Sequence, residues 1–241
     1  MLEYGNNRES SFGRVGTVPA VQFDAGLRAF MLQVYNLMAV GLGLTGVTAL
    51  GVSSSPALVQ LFMQSPLQWL VMLAPLGFVL VLSFGINRLQ ASTARMIFIA
   101  FSVVMGISLS TIFLVYTNES IARTFFVTAG TFLGMSLYGY TTKRDLAGMG
   151  SFLVMGLFGL VLASLVGIFF KSTALQFAIS VVGVLIFTGL TAWDTQRLKE
   201  SYSASAGLEA TNKLAVYGAL SLYMDFINLF MYLLRFMGRR E

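Results

Sequence analysis

The sequence predicts an all-α polytopic membrane protein whose seven transmembrane helices gather around the last one. Three observations predict it. The 241-residue chain is 56% hydrophobic and only 10% charged, against about 25% charged residues in an average soluble domain. Seven apolar runs recur along it, each near the ~20 residues that carry an α-helix across a bilayer. The final run holds a carboxylate, Asp225, near its middle. A membrane barrel would need alternating polarity, which these runs lack.

Taken in order, residues 1–26 are polar with mixed charge and lack the apolar core of a cleavable signal peptide. They read as a flexible cytoplasmic tail, and residues 27–241 as one membrane domain. The first span, Leu27 to Gly51, serves as an uncleaved signal anchor. Further spans follow at Pro66–Asn87, Arg95–Tyr116, Ala122–Tyr140, Met149–Phe170, Ala174–Asp194 and Leu214–Met237. The spans are rich in glycine, including Gly41, Gly183 and a GxxxG at Gly130 and Gly134, a pattern that close helix packing in membranes favours.

Charge sets the expected orientation. Arg8, Arg14 and Arg28 lie in or beside the tail, Arg88 and Arg95 in the second loop, and Lys143 and Arg144 in the fourth. Arg197, Lys199 and Lys213 flank the sixth. The intervening loops hold only Arg123 and Lys171, which puts the N-terminus in the cytoplasm. Seven full crossings then place Arg239 and Arg240 outside, against the rule, unless the last helix stops short. The net charge of +5 follows from this loop asymmetry and needs no nucleic acid partner. The chain contains neither Cys nor His, so thiol chemistry, disulfides, haem, His-metal sites and a His pH switch are excluded, and no cofactor is expected.

The candidate site starts from the last helix. Gly218, Ser221, Asp225, Asn228 and Tyr232 fall at steps of three and four, so one face is polar and the others are Leu, Phe, Ile and Met. Such a stripe belongs against protein or water, away from lipid. A second carboxylate, Asp194, ends the sixth span, with Thr188 and Thr191 preceding it at steps of three. Each Asp also has a bland reading, Asp194 as a solvated residue at the cytoplasmic edge and Asp225 as a hydrogen-bonded packing residue. If the two meet, their charges repel by ~4 kcal/mol at about 4 Å in an effective dielectric near 20. Such a pair shares a proton and titrates as a unit. Counted from the sixth loop, Asp225 lies deeper than Asp194, so pairing requires tilt or vertical offset. Arg88 is the expected cationic partner of Asp194, or else a topology-setting residue at the interface.

The segments LYMDFINLFMYLLRFMG, AWDTQRLK and MSLYGYTTKRDL resemble the Bax inhibitor-1 family, also called transmembrane Bax inhibitor motif proteins, in its bacterial YbhL- and YccA-like branch. The resemblance covers the chain after the tail. It implies a seven-helix fold with the last helix surrounded by the other six, and a proton-sensitive pair matched here by Asp194 and Asp225. The family's second-helix Arg is matched by Arg88. Some members carry an acidic residue in the second helix, and Pro66 to Asn87 has none. Family members are associated with pH-dependent calcium leak, and others with restraining a membrane-bound AAA protease.

The leading expectation is therefore a proton-gated calcium leak of the bacterial inner membrane. Asp194, Asp225 and Arg88 would gate it, Ser221, Asn228, Tyr232 and Thr191 would line the path, and Asp194 and Asp225 would give calcium a weak transit site. Lipid, calcium and protons are the expected partners. The alternative is a membrane subunit that regulates a membrane protease through its tail and sixth loop. An intramembrane aspartyl protease is disfavoured, because Trp193-Asp194 and Tyr223-Met224-Asp225 lack the glycines that let a substrate backbone approach. The chain is read as a non-enzyme.

Overall fold

A computed structural model describes residues 20–85, 88–170 and 172–239. The tail up to residue 19, with Arg8 and Arg14, lies outside the described residues, as do Asn87, Lys171 and Arg240. The described chain is helical: α1 (Ala20–Ser53), the short α2 (Pro56–Val59) with a π-helical turn at Gln60–Gln64, α3 (Leu67–Gly85), α4 (Ala91–Leu109), the short α5 (Ile112–Val115), α6 (Asn118–Thr141), α7 (Ala147–Phe169), α8 (Thr173–Ser201) and α9 (Leu208–Met237).

Six stretches are long and apolar enough to cross a membrane: Asp24–Ser53, Leu67–Gly85, Ala91–Val115, Ala147–Gly167, Thr173–Ser201 and Leu208–Met237. The expected span at 122–140 falls on α6, which is long enough at 24 residues. Its buried face carries Ser120, Thr124, Thr128 and Ser136, and these hydroxyls lower its apolarity. Helix α1 begins at Ala20, so the last part of the expected tail is helical. The expected first loop contains α2 and the π-helical turn.

Lipid tails are as apolar as Leu, so close packing and polar bonds, more than hydrophobic burial, hold membrane helices together. Each helix contact here shows one or the other. Pro75 lacks an N–H, which leaves the Val71 carbonyl without its partner inside α3. Ser108 of α4 donates a 2.6 Å bond to that carbonyl and ties α4 to α3. Thr45 of α1 lies 2.9 Å from the carbonyls of Gly41 and Ser102, and shares a 2.6 Å hydrogen bond with the Tyr223 hydroxyl of α9. The Tyr223 ring, fully buried, packs edge-on against Phe98 and Phe101 of α4 at 5.8 and 5.4 Å.

Glycines mark the closest approaches. A Cβ on Gly139 of α6 would run into the Ala192 carbonyl of α8, and one on Gly183 of α8 would meet the Tyr232 ring at 2.6 Å. The GxxxG of α6 does not follow this rule: Gly130 and Gly134 face open space, on the side of the helix away from the bundle.

Helix α9 packs against α8, α1, α6, α4 and α3, while α7 packs chiefly on α8. Of α9's polar stripe, Gly218 and Asp225 are buried and Ser221, Asn228 and Tyr232 are half-buried. The two ends of the bundle are distinct. At one end, Phe30 of α1 stacks on Tyr202 after α8, Glu209 of α9 accepts from the Ala91 N–H that opens α4, and Lys199 donates to the Tyr140 carbonyl. At the other, the Thr117 N–H before α6 donates to the Arg239 carbonyl, and the Arg239 N–H donates to Ser120 Oγ. Helix α9 thus runs from one end of the bundle to the other and does not stop short.

Candidate functional site: the carboxyl pair of α8 and α9

Helices α8 and α9 form an antiparallel hairpin joined by residues 202–207. Three contacts fix its register: Leu198 against Gly218, Asp194 against Ser221, and Gly183 against Tyr232. In this register the first turns of α9 extend past the end of α8. A residue can therefore lie deep when counted along α9 and still face one near the end of α8. That offset narrows the depth mismatch between Asp194 and Asp225 to about one helical turn.

Asp194 and Asp225 are electrostatic neighbours in this interface. Ser221 Oγ donates a 2.6 Å bond to Asp194 Oδ2. Asp194 is 8% exposed and Asp225 5%, so the reading of Asp194 as a solvated edge residue does not hold. Asp225 Oδ2 is buried without a hydrogen-bond partner from the protein. Two carboxylates brought together away from water repel each other, and sharing one proton relieves that repulsion. The cation whose field reaches Asp194 is Arg197, one turn along the same helix. The Arg197 guanidinium lies over the Trp193 ring, 5.4 Å from its centre.

Arg88 is placed elsewhere. It is exposed in the turn after α3 and pairs with no carboxylate among the described residues. The expected Arg88–Asp194 contact is absent from this conformation, because the loop directs the side chain outward and Arg197 is already beside the acid.

The rest of the expected lining is packed. Thr191 is fully buried and donates to the Phe187 carbonyl of its own helix. Asn228 Nδ2 donates to the Met224 carbonyl. Tyr232 stacks on Phe187 at 5.7 Å and lies under the Arg235 guanidinium. Of the four lining residues, Ser221 is the one that hydrogen-bonds to the pair. Calcium takes about six to eight oxygen ligands, and Asp194, Asp225 and Ser221 bring fewer. No group of three or more His, Cys, Asp or Glu side chains gathers to hold a metal among the described residues.

Sequence reasoning did not pick out the polar face of α6, nor Gln196, whose side chain accepts from the Leu146 N–H and donates to the Arg144 carbonyl at 2.8 Å each. The signal for α6 was present as hydroxyls at multiples of four, Ser120, Thr124, Thr128 and Ser136. Serine and threonine in a membrane helix usually satisfy themselves on their own backbone, which masks such a stripe.

Residues 27–241 match the family model described as inhibitor of apoptosis-promoting Bax1. The chain belongs to the Bax inhibitor family. Among its relatives, the Rickettsia prowazekii protein RP147 is 49% identical over 91% of this chain and 93% of its own length. A Caulobacter vibrioides protein is 48% identical, covering 94% and 96%. The Escherichia coli inner membrane protein YbhL is also 48% identical, covering 92% and 96%. The carboxyl pair and the six apolar stretches, apart from the first three residues of Asp24–Ser53, lie inside the region matched to the Bax inhibitor family.

Proposed function

We propose that this protein is a proton-gated passive cation leak of the inner membrane, with calcium as the permeant ion. The observation that carries the reading is the juxtaposition of Asp194 and Asp225, buried and bridged to Ser221, at the interface of α8 and α9. A buried ionisable pair inside a membrane bundle is expensive and marks an ion or proton function by default. The inner-membrane placement is supported by the name of the YbhL relative.

In this reading all seven long helices cross, α6 included, with α9 in the middle and the N-terminus in the cytoplasm. Helix α6 supports the count because it spans the bundle from Ser120, beside Arg239, to Tyr140, beside Lys199. The orientation is supported by Arg28, Arg88, Arg95, Lys143, Arg144, Arg197, Lys199 and Lys213 belonging to one end.

Gating follows from the proton. With it in place the pair is compact and carries one negative charge instead of two, and Arg88 is released. Ionisation draws the cytoplasmic cations, Arg197 first and Arg88 from the neighbouring loop, onto Asp194 and closes that end. Leak therefore rises as pH falls from 8 to 6. The few oxygens at the pair suit transit more than storage of calcium. The pair acts as a proton sensor and no chemical step is assigned to it, so the protein is not an enzyme. Calcium flux into proteoliposomes of the wild type and of Asp225→Asn tests the reading: flux in the wild type that responds to pH, and a flat response in the variant, are expected. Folded wild type that passes no calcium between pH 6 and 8 would overturn it.

A further inference from the structure

Helix α9 carries Arg235 in its last turn, four residues before Arg239, at the end of the bundle opposite the positive loops. The Arg235 guanidinium lies over the Tyr232 ring, 5.7 Å from its centre, and that ring stacks on Phe187. An aromatic face holds a guanidinium by its plane and leaves the N–H donors along its edge for a ligand. No carboxylate among the described residues pairs with Arg235. The described acid at this end, Glu119, is bonded to Arg123.

Arg235 lines a cavity of about 550 Å³ between α7, α8 and α9, inside the range of ~300–1,000 Å³ found for small-ligand sites. The cavity exists because α7 packs chiefly on α8, which leaves a wedge between α7 and the end of α9. Thr173 and Gln176, in the first turn of α8, bring a hydroxyl and an amide to it. Ser164 and Ser180 line it too, but each donates to a carbonyl of its own helix, so their oxygens are left to accept. Among the described residues, no Asp or Glu lines the cavity. Phe177 and Phe236, both exposed and with ring centres 5.5 Å apart, form an apolar rim.

We propose that this cavity binds the phosphate of an anionic phospholipid, with Arg235 as its cation and Phe177 and Phe236 against the acyl chains. A phosphodiester presents oxygens that only accept, which suits a lining with a guanidinium fork and neutral donors but no acid. Thr173 and Gln176 donate beside Arg235. Ser164 and Ser180 accept from a head group that carries hydroxyls, as phosphatidylglycerol does. Lipid is the source, and not soluble phosphate, because the aromatic rim stands on two stretches apolar enough to cross a membrane, Thr173–Ser201 and Leu208–Met237. A free anion has no use for that rim. Arg235 stands about one turn inside the level of Arg239 at ~1.5 Å per residue, which sets it at the depth of the head groups. Either orientation of the bundle gives this placement, and the site does not depend on the leak.

The test titrates the full chain, purified in detergent and stripped of lipid, with phosphatidylglycerol and reads binding by native mass spectrometry. Arg235→Gln should weaken binding about 10-fold, the loss expected for a charge-assisted pair. Arg144→Gln removes the same charge from an exposed side chain at the other end and should leave the affinity unchanged. Equal losses in the two variants, or no loss in Arg235→Gln, overturn the site. Diacylglycerol with the same chains lacks the phosphate and should not compete; competition by it would overturn phosphate recognition. Millimolar inorganic phosphate should not displace the lipid, and displacement would give the cavity to a soluble anion and overturn the lipid assignment. If Arg235→Gln does not fold, Gln176→Leu decides, because it keeps the charge and removes a neutral donor. A loss of about 3-fold is expected from it, and unchanged affinity overturns the site. The titration reads no calcium flux, so failure of the site and failure of the leak are separate results.

Discussion

Among the described residues, Ser221 is the one neutral side chain that donates to Asp194, and Tyr223 Oη is buried against a threonine hydroxyl. Both make residue-scale predictions. Ser221→Ala strips the pair of its donor and should lower the stability of the detergent-solubilised protein by about 1–3 kcal/mol, read from thermal unfolding. Asn228→Ala, which removes a bond only to its own helix, should cost less. Thr45→Val should destabilise more than Tyr223→Phe. The first strands a buried phenol, whereas the second leaves Thr45 with the Gly41 and Ser102 carbonyls. Equal losses for these two variants would contradict the assigned bonding. At this scale the sequence was informative where spacing alone decides a face. Steps of three and four placed Ser221 and Asp225 on one side of α9, and the α8 contact confirms Ser221 there. It was uninformative where a side chain's direction depends on a loop, as with Arg88. It also could not show which hydroxyl goes unpaired, as with Thr124, because that is settled by neighbours on other helices.

At the scale of elements, the α6–α8 contact is set by Gly139, whose Cα sits against the Ala192 backbone. Gly139→Leu should separate the helices and abolish the folded protein, seen as loss of the monodisperse species in detergent. Gly134→Leu, on a face open in this chain, should be tolerated. The reverse ranking would mean that the GxxxG, and not Gly139, packs the bundle. Long apolar helices were legible because about 20 apolar residues have few other uses. Turn-length pieces were not: α2 and the π-helical turn lie in a stretch that reads as an uncharged loop, and α5 reads as the tail of the third span. The amphipathic α6 was readable as a span by its length, but the chemistry of its buried face depends on where α8 and α9 lie.

For the whole molecule, the bundle's ends carry the argument. The C-terminal Arg239 is hydrogen-bonded at the end that holds the α5–α6 turn, opposite the cluster of loop cations. A C-terminal alkaline phosphatase fusion should therefore be active and a C-terminal green fluorescent protein fusion dark; a fluorescent C-terminus would reverse the orientation proposed here. Loop charge made this asymmetry legible from the start. The sequence left open whether α9 crosses fully, and the contact of Arg239 with Thr117 and Ser120 shows that it reaches the far end.

The most direct test of the carboxyl pair as a proton gate is calcium flux into proteoliposomes from pH 6 to 8, comparing wild type with Asp194→Asn and Asp225→Asn. The account predicts wild-type flux that rises as pH falls and a response flattened in both variants. An unchanged pH response in both variants, with the proteins folded, would contradict it.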